Sequence, residues 1–466
     1  MKITELSEYY VRPGRLREWR PRAPNPSTIS ALTRDPTPPS YNQERYLKVI
    51  ANLRGRGIQL PGWIGVGFEI PQALHVEAFR GALQTWIERH ETLRSGFHQK
   101  GEKFHRFTMG SSMISVTDTQ LGDFGPRDDV TGFIQDRLTQ ITHGTRWPNY
   151  GVETVERGES TTFIAAFDHS NVDGYSILAA IQELIDLYDS SVAMRTVTHS
   201  GVGSYVSFSR AERIAAQRIN RNHPSVVRWA RFVEDCGGKF PRFPLGLGVD
   251  EGALVPQVTI SEFLLDAPGA NAFEAACRAG RSSFFAGVLA TVAISAYELQ
   301  RGSVYRIVTP LHTRTKPEWV NSMGWYVGAG PVEIALHGAT EFHEVLPRAQ
   351  ESARNAVRIA QTPFVRILDL LDLDLPYTPD VFSFISFLDM RDVPGASRWA
   401  DWNARTLAAK SYGDKANFWV NRTNKDLHIT ARYPDTEVAE QNVSNFISHI
   451  RTVLRSVTST GNYHFG

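Results

Sequence analysis

The sequence predicts an α/β protein built as α+β sandwiches in two lobes. Its 466 residues are too many for one ordinary core, and the 42% of apolar residues can supply two. Candidate helices and strands are interspersed in both halves, which argues against a helical bundle or an all-β fold. Because residues 189–203 are polar, aperiodic and contain glycine, we place a linker there, between lobes at 1–188 and 204–466.

The first lobe contains two predicted helices and a predicted central strand. Apolar residues recur at helical spacing over 72–90, and again after Gly174. A short, continuous apolar run at 161–167 indicates a buried strand. The N-terminal stretch 1–45 predicts either a solvated arm over this lobe or a contact for the phosphates of a nucleotide-bearing donor. Its clustered arginines are Arg12, Arg15, Arg17, Arg20 and Arg22.

The second lobe repeats the mixture of helices and strands. We predict helices at 224–235, 273–300 and 439–456, and strands at 304–309 and 381–388. No short-period repeat is visible in the sequence.

Composition excludes several functional classes. Lys and Arg number 50 against 49 Asp and Glu, so no overall field recruits nucleic acid or an anionic membrane. Cys236 and Cys277 form neither a disulfide framework nor a metal-ligand spacing. The N-terminus lacks an apolar signal core, and the longest apolar run, FFAGVLATVAISAY from Phe284, is shorter than the roughly 20 residues that cross a bilayer. We expect a cytoplasmic protein, which lipid substrates could hold at the inner face of the plasma membrane.

The stretch FIAAFDHSNVDGYSILAAIQELIDLY, residues 163–188, carries the candidate chemistry. Its strand ends at His169, and the following helix turns the chain away near Gly174. Strand-to-helix turns hold reactive side chains on rigid supports while leaving them reachable. A neutral imidazole at such a turn can take a proton from an incoming hydroxyl or amine. His169 is therefore a candidate general base.

A purely structural interpretation of the same stretch is equally open at this point. His169 could merely end a strand, and Asp173 could be the N-cap of the next helix, since Asp is common there. The sequence contains no G-x-S-x-G elbow, no phosphate-binding P-loop, no H-E-x-x-H helix and no G-x-G-x-x-G fingerprint.

The segment DHSNVDG resembles the HHxxxDG motif of the condensation-domain acyltransferases. This superfamily includes peptide-synthetase condensation domains, chloramphenicol acetyltransferase, plant BAHD enzymes and actinobacterial polyketide-associated acyltransferases. Three further stretches are similar to family segments in the expected order. They are ERHETLRSGF at 88–97, a helix, strand and arginine loop at 282–318, and TPFVRILDLL at 362–371.

The likeness is greatest to the polyketide-associated acyltransferases that build trehalose-based lipids in mycobacteria and their relatives. SYVSF, WARFVEDCGGKFPRFPLGLG and GWYVGAGPV all resemble that subgroup, and the likeness extends from about residue 40 to 450. The resemblance implies two chloramphenicol-acetyltransferase-like lobes, arranged as a V-shaped pseudo-dimer around a central tunnel. Such a pseudo-dimer makes a monomer sufficient.

The resemblance also implies roles for individual residues. His169 matches the catalytic histidine, and Asp173 matches a structural aspartate that is paired with an arginine, here Arg314. Arginine can hold a buried carboxylate bidentately, and a lone buried carboxylate would be costly. We expect the backbone N–H of Gly174, at a helix start, to stabilise the oxyanion. Candidate tunnel residues are Asn171, Tyr175, Trp325, Tyr326, Phe382, Phe384 and Ser386.

The chain departs from the family pattern at two positions near these residues. The first histidine of the motif is replaced by Asp168, a change that the trehalose-lipid subgroup shares. A family asparagine is replaced by Gly328, which argues against oxyanion stabilisation by a side chain there.

The predicted activity is O-acyl transfer. A fatty or polyketide acyl group would pass from acyl-CoA or a carrier-bound thioester to a hydroxyl of a trehalose-type glycolipid, without a metal, a cofactor or a covalent intermediate. A polyketide synthase or its carrier protein is a candidate partner. Two alternatives stay open, namely a free-standing condensation enzyme that forms an amide and a non-catalytic scaffold that binds a lipid or a carrier protein. The sequence does not specify the acyl length or the acylated position.

Overall fold

The computed structural model describes residues 3–23, 35–195, 201–373, 378 and 380–466. Its contacts divide the chain into two compact units, each assembled from separate stretches of sequence. The first unit comprises Met1–Ala215, Arg314–Tyr326 and Val393–Lys410, and the second comprises Ala216–Thr313, Val327–Asp392 and Ser411–Gly466.

Among the described residues the first unit contains nine strands, of which eight come from its N-terminal stretch and the ninth returns from late in the sequence. Its strands are β1 (Ile3–Glu5), β2 (Arg15–Arg22), β3 (Trp63–Ile70), β4 (Ser95–Lys100), β5 (Lys103–Thr108), β6 (Ser115–Asp123), β7 (Tyr150–Glu156), β8 (Thr161–Asp168) and β13 (Arg405–Ala408). Its helices are α1 (Tyr41–Gly55), α2 (Val76–Arg89), α3 (Val130–Ile141), α4 (Gly174–Val192), α5 (Tyr205–Ala216) and the short α9 (Pro317–Val320).

Seven of these strands form one mixed sheet in the order β1-β13-β3-β8-β7-β2-β6. Only β1 and β13 pair in parallel among the described neighbours of this sheet. The central strand β8 reads TTFIAAFD and is buried along its whole length. A strand covered on both faces needs a continuous apolar run, and this run is what β8 has. Helix α4 packs on α2 and β3, so the end of β8 lies in the interior of the unit.

The second unit holds the remaining elements. A four-stranded mixed sheet has the order β12-β14-β15-β9, and β10 and β11 form an antiparallel pair. The strands are β9 (Gln257–Asp266), β10 (Val304–His312), β11 (Val327–Ala335), β12 (Ile385–Asp389), β14 (Asn417–Arg422) and β15 (Asp426–Pro434). The helices are α6 (Pro224–Glu234), α7 (Ala267–Ala279), α8 (Phe284–Gln300), α10 (Phe342–Ile359), α11 (Phe364–Leu371) and α12 (Glu437–Thr460).

The core of the second unit forms around α8. This helix is rich in alanine and is buried on most sides, and α7, α10 and α12 pack against it. Small side chains let neighbouring helices approach closely, so a helix that is apolar all round fits the centre of a unit. Most predicted elements are present, and the interspersed α/β fold class is confirmed.

Two predicted elements of the second unit are wrong in their bounds. Residues 273–300 are two helices and not one. Helix α7 ends at Gly280, and Arg281 has a positive φ of 55°. Helix α8 then starts where the Ser283 hydroxyl accepts the N–H of Ala286. The strand predicted at 381–388 begins only at Ile385.

The compact units differ from the lobe boundaries that the sequence suggested. Helix α4 continues to Val192, into the predicted linker, and the first unit continues to Ala215. Residues 196–200 of that linker lie outside the described residues. The segments Arg314–Tyr326 and Val393–Lys410 also belong to the first unit, because long-range contacts and not sequence order decide membership.

The arginine-rich N-terminal stretch is not a solvated arm where the structure describes it. Residues 15–22 form β2, which pairs with β6 and β7 inside the sheet. Arg12 pairs with Glu69, and Arg17 pairs with Glu156 at 2.6 Å and with Asp118. These arginines are therefore occupied by carboxylates, which weighs against the phosphate-contact interpretation.

No single helix within the described residues is long and apolar enough to cross a membrane. The bent pair α7 and α8, with 95° between its helices, meets that test by length and composition only when both are taken together.

Candidate active site

The turn from β8 to α4 fixes the backbone of the DHSNVDG segment. The His169 N–H donates to the Gly62 carbonyl at 3.1 Å, and the Asn171 N–H donates to the Asp168 carbonyl at 3.0 Å. Helix α4 starts where the Asp173 carboxylate accepts the Ser176 N–H at 2.8 Å. Asp173 is thus an N-cap, as the structural interpretation expected, and the turn between β8 and α4 is rigidly hydrogen-bonded.

Aromatic rings surround the imidazole of His169. The Trp325 ring stacks on it with centroids 4.2 Å apart and planes 30° apart, and the Tyr46 ring lies 6.4 Å away. His169 keeps partial solvent exposure, while its Nδ1 atom is enclosed and has no hydrogen-bond partner. Burial lowers the pKa of His169, although its own backbone and the Asp168 carboxylate act in the opposite direction. The ring is therefore neutral at pH 7, as a general base must be.

Asp168 occupies the position where the motif has its first histidine. Its carboxylate is buried and accepts the Ser170 N–H at 3.0 Å, the Ser170 hydroxyl and the Tyr46 hydroxyl at 3.2 Å. Burial raises the pKa of Asp168, and these hydrogen bonds partly offset the rise. This side chain faces Tyr46 and Ser170, so it braces the turn that carries His169.

Asp173 and Arg314 form a buried ion pair inside the first unit. Arg314 Nη2 donates to both oxygens of Asp173, at 2.8 and 3.0 Å, and to the Ser176 hydroxyl at 2.8 Å. The pairing that the resemblance implied is present, but the expected bidentate fork is not, because one nitrogen serves both oxygens. The Tyr326 N–H donates to the same carboxylate at 2.9 Å.

The second guanidinium nitrogen organises the segment that carries Trp325. Arg314 Nη1 donates to the carbonyls of Trp319 and Ser322, at 2.6 and 2.7 Å. The guanidinium also lies 4.2 Å above the Tyr326 ring. Arg314 therefore links the start of α4 to the segment that places an indole against the catalytic candidate.

Gly174 is the first residue of α4 and is exposed. A Cβ atom at this position would meet no other atom within 4 Å. The first N–H groups of a helix have no acceptor within the helix. The open space beside Gly174 therefore lies next to backbone N–H groups at the N-terminus of α4. By contrast, a Cβ at Gly328 would lie 2.0 Å from the Ala360 carbonyl oxygen, so no side chain fits there.

The predicted tunnel residues fall into different environments. In the first unit, Trp325 and Tyr175 are partly exposed, but Asn171 is buried and bonded to Asn149. Tyr326 is fully buried, because it packs in an aromatic cluster with Tyr205, Phe208 and Trp319.

The tunnel residues predicted in the second unit lie on or near β12. Phe382 packs with Phe240 and Phe364, with centroids 5.6 and 5.4 Å apart, and Phe384 meets Trp419 edge-on at 5.1 Å. Ser386 lies on β12 opposite Trp419. All three are partly exposed.

Three residues of the site were missed from sequence. Tyr46 and Gln43 lie on α1, and Gln43 holds the Ser170 carbonyl at 2.8 Å. No local pattern connects α1 with the motif, since the contact spans more than a hundred residues. His90 lies in the stretch ERHETLRSGF, which resembles a family segment, but the sequence assigned it no role. Its Nε2 lies 2.6 Å from Glu183 of α4.

No group of three or more His, Cys, Asp or Glu side chains is placed to hold a metal ion in the part of the chain that the structure describes.

The chain belongs to the condensation-domain family, whose sequence model matches residues 64–464. It is 25% identical over 467 residues to the 2'-acyl-2-O-sulfo-trehalose (hydroxy)phthioceranyltransferase PapA1 of Mycobacterium tuberculosis, covering 99% of this chain and 89% of that protein. It is 24% identical over 468 residues to the trehalose-2-sulfate acyltransferase PapA2 of Mycobacterium bovis, covering 98% of both chains.

Solved structures agree on the fold. The PapA2 acyl transferase superposes with a TM-score of 0.91 at 23% identity, over 98% of this chain and 100% of that chain. The condensation domain of the Monacolin K polyketide synthase MokA gives a TM-score of 0.69 at 14% identity, over 91% of this chain and 98% of that one. The predicted family and fold class are confirmed, and so is the class of enzyme, an O-acyltransferase.

Proposed function

We propose that the protein transfers a fatty or polyketide acyl group from a thioester to a hydroxyl group of a trehalose-type glycolipid. One observation carries the proposal, namely a neutral, partly exposed imidazole at His169 on a braced strand-to-helix turn. The acceptor class is supported by PapA1 and PapA2, whose names specify sulfated trehalose acceptors.

The chemistry needs one base and one donor to the oxyanion. Because Nδ1 of His169 is enclosed, Nε2 is the nitrogen that takes the hydroxyl proton as the oxygen attacks the thioester carbonyl. The carbonyl oxygen becomes an oxyanion, and the Gly174 N–H at the start of α4 stabilises it. When the carbon–sulfur bond breaks, the imidazolium returns its proton to the leaving thiolate.

A thioester is already activated, so we propose that this transfer needs no cofactor, no metal and no covalent enzyme intermediate. Asp173 and Arg314 position the turn and do not touch the reacting atoms. Trp325 stacks on His169, and Tyr175 directly follows the proposed oxyanion donor in the chain; we assign both partly exposed rings to the substrate passage.

The donor is either acyl-CoA or an acyl group on a carrier protein of a polyketide synthase, and the enzyme acts as a monomer. We place it in the cytoplasm at the inner face of the plasma membrane, because an acylated sugar partitions to a lipid surface.

The proposal is tested by incubating the pure protein with a chain-length series of acyl-CoAs and with trehalose, acylated trehaloses or amines. Mass spectrometry identifies the product, and thiol release gives the rate. An acylated sugar supports the ester. If only amines are acylated, the protein is the amide-forming condensation enzyme. If neither acceptor class releases thiol above background, the protein is a non-catalytic scaffold.

A further inference from the structure

A basic cluster lies beside the motif turn and has no role in the proposed acyl transfer. It consists of Arg54 in the last turn of α1, with His143 and Arg146 in the turn after α3. Arg54 Nη1 lies 3.1 Å from His143 Nδ1, and the Arg146 N–H donates to the His143 carbonyl at 2.9 Å. A Cβ at Gly144 would lie 3.0 Å from Asp168 Oδ1. The cluster is therefore adjacent to the residue that precedes His169.

The contacts of His143 define its protonation state. Because a guanidinium can only donate, Nδ1 of His143 must accept the hydrogen bond from Arg54. The Thr145 hydroxyl lies 3.2 Å from the same nitrogen. The ring proton therefore resides on Nε2, which is a further donor. Burial, Arg54 and Arg146 lower the pKa of His143 to about 4, so the ring is neutral at pH 7.

The positive charges of this cluster lack a bonded carboxylate. Within the described ranges, no acidic side chain forms an ion pair with Arg54 or Arg146. Asp168 acts on Arg54 at a distance, but its oxygens are engaged by Tyr46 and Ser170. Burial also lowers the pKa of Arg54. The cluster thus combines a partly buried guanidinium at Arg54, an exposed one at Arg146 and the neutral N–H donor of His143, which are donor types that proteins use to bind phosphate or sulfate.

We propose that Arg54, His143 and Arg146 bind a tetrahedral oxyanion carried by a substrate. Two sources share this chemistry, namely a sulfate ester on the sugar acceptor and a phosphate of a CoA donor. The choice of these two substrates rests on the proposed acyl transfer, but binding of the anion does not require turnover.

Titration calorimetry with sodium sulfate and sodium phosphate, at constant ionic strength, tests the site directly. We expect saturable binding to the wild type that is weakened about tenfold or more in Arg54→Gln and in Arg146→Gln. Arg54→Lys should retain part of the affinity, because it keeps the charge. Arg56→Gln is the matched control, since Arg56 is exposed near the end of the same helix. Thermal melting confirms that each variant is folded.

Four organic ligands then identify the source of the anion. If the variants weaken binding of CoA but not of pantetheine, the site holds a donor phosphate. If they weaken binding of trehalose 2-sulfate but not of trehalose, it holds an acceptor sulfate. Either result supports the proposal. The proposal is overturned if the wild type binds no anion saturably or if Arg54→Gln and Arg146→Gln bind anions like the wild type. It is also overturned if these variants weaken binding of the inorganic ions but not of CoA or trehalose 2-sulfate. A protein that binds these ligands but transfers no acyl group would contradict the proposed function alone.

Discussion

Both carboxylate oxygens of Asp173 lie within 3.0 Å of a single Arg314 nitrogen, Nη2. The two residues are 141 positions apart in the sequence, and both side chains are almost fully buried. Their contact joins the start of α4 to the segment that carries Trp325. The ion pair therefore shapes the surroundings of His169 without reaching the reacting atoms.

Replacing Arg314 by alanine should destabilise the protein by about 3–5 kcal/mol, because Asp173 would be left as an unpaired buried charge. Urea denaturation measures the change, and the soluble yield should fall with it. Lys316→Ala is a control in the same segment, since its ion pair with Glu318 is exposed and should contribute less than about 1 kcal/mol. Equal losses in both variants would contradict a structural role for the buried pair.

His169→Ala should lower the rate of thiol release by about 10²- to 10⁴-fold, to background, because the general base is removed. The protein should stay folded, since the imidazole is partly exposed and the main chain of the turn keeps its own hydrogen bonds. Near-normal turnover by this variant would contradict the role of His169 as the general base.

The stacking of Trp325 on His169 predicts a pH effect. A lowered pKa keeps the base neutral as the pH falls, so the acid limb of kcat/KM should lie below the usual histidine value of about 6.5. Trp325→Ala exposes the ring, which raises its pKa and moves the acid limb to higher pH. Trp325→Phe keeps an aromatic cover and should shift the limb less. An unchanged limb in Trp325→Ala would show that the indole does not shield the base.

Two glycines should respond in opposite ways to alanine. Gly174→Ala has room for its methyl group and should fold normally, but the methyl group would occupy the open space beside the proposed oxyanion donor. We expect activity to fall by up to about 10²-fold without a loss of stability. Gly328→Ala forces its Cβ against Ala360 and should cost about 1–3 kcal/mol. Activity assays and denaturation of both variants separate the two effects.

Glu153 predicts a pH dependence of stability. It is fully buried on β7, directly opposite Glu18 of β2, and burial together with Glu18 raises its pKa to about 8. In the unfolded chain its pKa is about 4.3. The raised pKa therefore stabilises the fold fully below about pH 4, and this stability is lost as the pH rises through 8.

Glu153→Gln removes that dependence. Its free energy of unfolding should exceed that of the wild type by a few kcal/mol near pH 8, and the difference should vanish near pH 4. Denaturation at both pH values measures it. A difference that stays constant with pH would show that Glu153 is not protonated in the folded protein.

Much of the site was predictable because it is local. The buried run of β8, the position of His169 at its end and the helix after Gly174 all follow from hydrophobic spacing within 26 consecutive residues. The break between α7 and α8 was not predicted, because apolar residues at helical spacing on both sides suggest one helix, although the polar stretch RAGRSS at 278–283 contains a glycine stop signal and a serine cap.

Local sequence patterns were enough to predict the α/β class, the candidate base and an aspartate at the start of α4. Only the tertiary structure showed that Tyr46 braces Asp168, that Trp325 covers one face of the imidazole, and that Arg54 and His143 lie beside the same turn. The physical reason is distance along the chain. Periodicity and capping act between neighbours, whereas burial, stacking and charge act between side chains that only folding brings together.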